Sequence, residues 1–233
     1  MESAVSQSIV VLHVLSGVVA LCSFWVAGLA KKGSPLHLRA GKVYLSSMVG
    51  IVITALYLAA SYFVAGKTVA AIFLSYLVLI TATAMWLAWT AVRRKRDQAR
   101  FRDRTYVAIA LVNVVGGAIV FAFGVSIGDA LLMGFCWVGI VLGTQMLMRA
   151  WKPLAETKWW LREHIGATLG CGIATHVAFL GIGVNRLTAA LPINFDLGLL
   201  PWFGPVVVAL VAGAWLDRKY LRAPPLPSIS PVR

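Results

Sequence analysis

From Ser8 to Ala30 the chain reads SIVVLHVLSGVVALCSFWVAGLA, with no Asp, Glu, Lys or Arg inside it and Lys31-Lys32 directly after it. A helix that crosses the roughly 30 Å hydrocarbon core needs about 20 apolar residues, because lipid offers an open backbone no hydrogen-bond partner. This run meets that length. Six more follow, at 43–64, 69–92, 106–125, 130–148, 165–184 and 199–216, separated by short connections. The reading is an all-α membrane protein in which residues 1–220 form one bundle of seven transmembrane helices. The first run does not read as a cleavable signal peptide. Met1-Glu2 precede it without a basic residue, the apolar stretch is long, and the two lysines act as a stop.

Composition agrees. Of 233 residues, 60% are hydrophobic and 12% charged, and the mean hydropathy is +0.85. A soluble domain carries about twice that share of charge, so a water-soluble globule is excluded. The net charge of +13 does not point to nucleic acid, because the basic residues lie between the apolar runs. The first connection holds Lys31, Lys32, Arg39 and Lys42. The third holds Arg93, Arg94, Lys95, Arg96, Arg100, Arg102 and Arg104. The fifth holds Arg149, Lys152, Lys158 and Arg162, and the tail holds Arg218, Lys219, Arg222 and Arg233. Only Lys67 and Arg186 fall on the other side. The positive-inside rule then predicts the amino terminus outside and the carboxyl terminus in the cytoplasm, with anionic membrane lipids attracted to the basic side. Residues 221–233 hold Pro224, Pro225, Pro227 and Pro231 and read as a disordered cytoplasmic tail. Pro201 suits the first turn of the seventh helix, and Pro205 is expected to bend it.

The polar residues limit the chemistry. All eight acids (Glu2, Asp97, Asp103, Asp129, Glu156, Glu163, Asp196 and Asp217) fall in loops or at helix ends. That weighs against ion-coupled carriers with a mid-membrane carboxylate, against aspartate-rich prenyl transferases and against acid–histidine metallohydrolases. Cys22, Cys136 and Cys171 stand singly in different helices, so neither a redox disulfide nor a structural zinc site has its ligands. Trp25, Trp151, Trp159, Trp160 and Trp202 sit near expected interfaces, as aromatic belts do. Gly166 and Gly170 read as a close-packing motif.

Four histidines remain. His13 and His176 lie within the first and sixth runs at similar distances from their outer ends, and neutral imidazoles from two helices are the usual axial pair of a b-type haem. These two are the candidate ligands of a haem iron, and the small-residue face Gly17, Ala20 and Ala27 next to His13 would give the ring room. His37 and His164 open the second and sixth runs at the cytoplasmic edge. With Arg39 they form a candidate inner-face binding site, in which Arg39 forks an anion and His164 exchanges a proton. His164 and His176 are 12 residues apart, about 120° around a helix, an awkward spacing for two stacked haems. A histidine hydrogen-bonded to a neighbouring helix is the plain alternative for each.

The stretch His13…Gly17…Ala20…Lys32-Gly33…His37-x-Arg39-x-Gly41-x-x-Tyr44, with His164-x-Gly166, Asn185 and Leu191-Pro192 before Trp202, resembles a widespread bacterial family of predicted integral membrane proteins of unknown function. The resemblance covers the first two and last two helices. It implies a helical fold in the bacterial cytoplasmic (inner) membrane, with His13, His37, His164, Arg39 and Asn185 as its pattern residues. His176 lies outside that pattern, and the resemblance carries no activity.

Three functions stay open on these residues. The first is haem binding and electron transfer through His13 and His176. The second is a binding protein or carrier for a lipid, quinone or small solute at the inner cluster. The third is an accessory subunit packed against a membrane protein partner. No Ser–His–acid set, carboxylate pair or phosphate loop can be assembled, so covalent enzyme chemistry is not expected.

Overall fold

In a computed structural model of the chain, residues 4–152, 157–184 and 197–221 are described. They form α1 (Ala4–Leu29), α2 (Pro35–Val64), α3 (Thr68–Arg93), a single turn α4 (Gln98–Phe101), α5 (Arg104–Ile127), α6 (Ala130–Trp151), α7 (Trp159–Val177) continued by a π-helical stretch (Ala178–Val184), and α8 (Leu200–Tyr220). No strand occurs among the described residues. Seven helices, counting α7 with its π-helical continuation, are long and apolar enough to cross a membrane, which is consistent with an integral membrane protein. Asn185 and the proline-rich tail lie outside the described residues.

Local chemistry sets the helix ends. Three of the acids are N-caps: Asp97 accepts from the Arg100 amide (2.8 Å), Asp103 from that of Tyr106 (3.1 Å) and Asp129 from that of Leu132 (2.9 Å). A carboxylate there satisfies an orphan amide and faces the positive end of the helix dipole. Gly128, at φ 69°, ends α5 in the left-handed conformation and hands the chain straight to the Asp129 cap. The second helix starts at Pro35, eight residues before its apolar run, because Ser34 accepts from the His37 amide and proline suits the first turn. Apolar runs mark what lies in lipid; hydrogen bonds carry the helix beyond it.

Packing proceeds by antiparallel neighbours. The α1/α2 and α5/α6 hairpins flank α3, which also packs along α7 and carries the longest set of buried residues; α8 rests mainly on α7 and buries little. Helices α5 and α6 approach closely at Gly143, where an added Cβ would lie 2.5 Å from the Ala110 carbonyl oxygen, and at Gly117, where it would lie 2.9 Å from that of Cys136. The close-packing glycines of this helix pair are therefore Gly117 and Gly143. Gly170 meets only Ala84, at an ordinary 3.4 Å, and Gly166 faces open space. Tyr76 of α3 inserts its hydroxyl into α6, donating to the Cys136 carbonyl (2.5 Å) and accepting from the Gly139 amide (2.9 Å). The helix α8 runs on through Pro205.

The described parts of the four basic segments gather at one end. Arg102 donates to the Lys152 carbonyl (2.9 Å), Arg162 pairs with Asp217 (3.8 Å) and Lys158 reaches the Tyr220 carbonyl (3.4 Å). Within this end Phe101 of α4 is fully buried among Trp86, Tyr106 and Trp159. The third connection is thus an anchored element instead of a loose polar strap.

Candidate functional site at the basic end

The expected outer pair does not assemble. His13 Nδ1 is hydrogen-bonded to Thr54 Oγ1 at 2.8 Å, and that hydroxyl also reaches the Gly50 and Ile51 carbonyls. His176 meets α1 far from His13. Its Nδ1 donates to the Gly172 carbonyl (2.7 Å), and its Nε2 accepts from Trp25 Nε1 (3.1 Å). The Phe24 ring, 5.4 Å from the imidazole, occupies the space that Gly172 leaves. Trp25 lies 12 residues beyond His13, about 18 Å along the helix. The two rings cannot face one porphyrin from opposite sides, and both nitrogens of His176 are engaged, so these residues do not fit a shared haem iron. Counting from the ends of apolar runs assumes that all runs end in one plane. Here the contact of Gly172 with Phe24, and that of Thr175 with Tyr44 (3.3 Å), set the register of α7 instead.

The inner histidines lie at one end of the bundle, each held by a backbone carbonyl. His37 Nδ1 donates to the Ala27 carbonyl in the last turn of α1 (3.0 Å). Lys32 joins it there, its ammonium donating to the carbonyls of Ala27 (3.1 Å) and Gly28. Together they cap a helix end whose last carbonyls lack partners of their own. His164 Nδ1 donates to the Ala88 carbonyl of α3 (3.0 Å). Both imidazoles therefore carry their proton on Nδ1 and keep an Nε2 that no hydrogen bond engages among the described residues. His37 and Lys32 lie within electrostatic reach of His164. Half-buried residues of α2 and α7, from opposite ends of the sequence, thus converge.

Arg39 does not join them; it is exposed. Because α2 already starts at Pro35, residues 37 and 39 stand two apart on a helix and so point to nearly opposite sides. An extended approach to the helix would have allowed them to act together.

A second cluster went unseen among the acids. Glu163, beside His164 on α7, is only 3% exposed, and its Oε2 accepts from Arg149 Nη1 of α6 (2.9 Å). Arg102 and Tyr106 lie within electrostatic reach of the same carboxylate. The Oε1 of Glu163, the Tyr106 hydroxyl and the Nε and Nη2 of Arg102 are buried without a hydrogen-bond partner among the described residues, an arrangement that bridging water can satisfy. The sequence does hold a signal for this. Trp159, Glu163, Ala167, Cys171 and Thr175 recur every four residues, and all five are buried, so the carboxylate belongs to the inward stripe of α7.

Comparison of the chain with models of known protein families, with curated proteins and with solved structures gives no match.

Proposed function

We propose that this chain is a multi-pass membrane protein that holds the head of a quinone-class amphiphile between His37 and His164, at an end that the charge pattern assigns to the cytoplasm. The observation that carries the reading is the pair itself: two imidazoles from distant segments, each fixed by Nδ1 on a backbone carbonyl, with both Nε2 atoms left over. An Nε2 lone pair accepts from a hydroxyl, and after protonation the same atom donates to a carbonyl. Two such atoms match a head that alternates between carbonyl and hydroxyl oxygens. The exposure of Arg39 removes the guanidinium fork that a carboxylate or phosphate ligand would use, which favours an uncharged head at this place.

The test is binding of a decyl-chain benzoquinone to the purified protein in mild detergent, followed by quenching of tryptophan fluorescence. His37→Ala and His164→Ala are each expected to weaken binding about tenfold, the worth of one well-placed hydrogen bond. His13→Ala should leave it unchanged. Equal affinity in the His37→Ala/His164→Ala double variant and the parent would end the proposal.

A further inference from the structure

Beside the histidine pair, with which it shares Lys32, a cleft of about 520 Å³ lies between Gly28 to Lys32 at the end of α1 and Trp215, Leu216, Lys219 and Tyr220 of α8. Three ammonium groups line it (Lys31, Lys32 and Lys219), and no carboxylate does. The nearest acid on α8, Asp217, is paired with Arg162. Lys32 has two contacts, both to carbonyls of α1. Lys219 is held over the rings of Trp215 (4.6 Å) and Tyr220 (5.5 Å), which orient a cation without neutralising it. Lys32 is held below the ordinary lysine range, first by burial and then by the Lys219 charge. The cleft thus concentrates positive charge with no counter-ion among the described residues.

The walls that lead into it are apolar. Val208, Val211, Trp215 and Lys219 follow one another at spacings of three and four on α8, so they share a face. The first three are exposed by 66%, 66% and 57%. A stripe of valines, then an indole, then an ammonium is the order that a membrane presents from acyl chain through interface to headgroup.

We propose that this cleft binds the phosphodiester of an anionic glycerophospholipid, with Lys31 and Lys219 on the phosphate and an acyl chain along Val208 and Val211 of α8. Neither His37 nor His164 lines the cleft, although Lys32 adjoins both.

The full-length protein in neutral detergent would be titrated with phosphatidylglycerol, with phosphatidylcholine and with inorganic phosphate, and bound lipid counted by native mass spectrometry. Phosphatidylglycerol is expected to bind at least about tenfold more tightly than phosphatidylcholine. The Lys31→Gln/Lys219→Gln variant should lose that preference, Lys219→Arg should retain it, and His37→Ala/His164→Ala should leave it intact. Lys32 is kept in all variants, because it caps α1. Equal binding of the two lipids by the parent, or an undiminished preference in the lysine variant, overturns the proposal. So does lysine-dependent binding of inorganic phosphate without any of phosphatidylglycerol, which would make the ligand a free anion.

Discussion

Arg149→Met is expected to cost about 3 kcal/mol of stability, read as a lowered unfolding midpoint in mixed micelles. The substitution leaves the Glu163 carboxylate buried with its one direct ion-pair partner among the described residues gone. Removing one member of a buried pair commonly costs about 3–5 kcal/mol. The lower figure applies because the Arg149 side chain is 32% exposed and Arg102 remains within reach. The double variant Arg149→Met/Glu163→Gln should recover most of the loss, since an uncharged pair needs no compensation for desolvation. If the double variant is as unstable as Arg149→Met alone, the damage comes from lost packing and not from a stranded charge.

Gly143→Ala should cost about 2 kcal/mol, in the usual range for overpacking. The new methyl would sit 2.5 Å from the Ala110 carbonyl oxygen and 2.8 Å from Val114 Cγ2. The first of these is backbone and cannot swing aside, so α5 and α6 must separate. Their separation strains the bond from Asn113 to Thr83 of α3, which is 2.8 Å long. Gly166→Ala makes the control. It meets nothing within 4 Å, and it should be neutral or gain up to about 1 kcal/mol from helix propensity. Equal effects at both glycines in thermal unfolding would refute the close approach of α5 and α6.

The fold was legible wherever hydrophobicity alone decides it. Seven runs free of charge became seven helices, because lipid forbids other backbone solutions over that length. What could not be read was anything set by contacts between helices. His13 and His176 had matching distances from run ends, yet the Phe24 ring seated against Gly172 puts His176 beside Trp25. Arg39 reads as a partner of His37 from closeness in sequence, yet two residues apart on a helix they face nearly opposite ways. Glu163 looked peripheral because it is close to the start of α7 in sequence, although its stripe from Trp159 to Thr175 turns inward. In each case the deciding quantity was rotation or depth, and hydropathy reports neither. For the inner histidines a helix boundary constrains depth by itself: charged connections bracket both residues.

The burial of Phe101 has a consequence for how the molecule sits in a bilayer. Because that ring is wedged beneath Trp86 and Trp159, the cations from Arg93 to Arg104 are riveted at a set height above the aromatic core. A tethered loop could rise or fall to suit thicker or thinner membranes; this collar cannot. Mismatch must then be absorbed by tilting the bundle or deforming the surrounding lipid, so host-membrane thickness becomes a variable to which this architecture is sensitive.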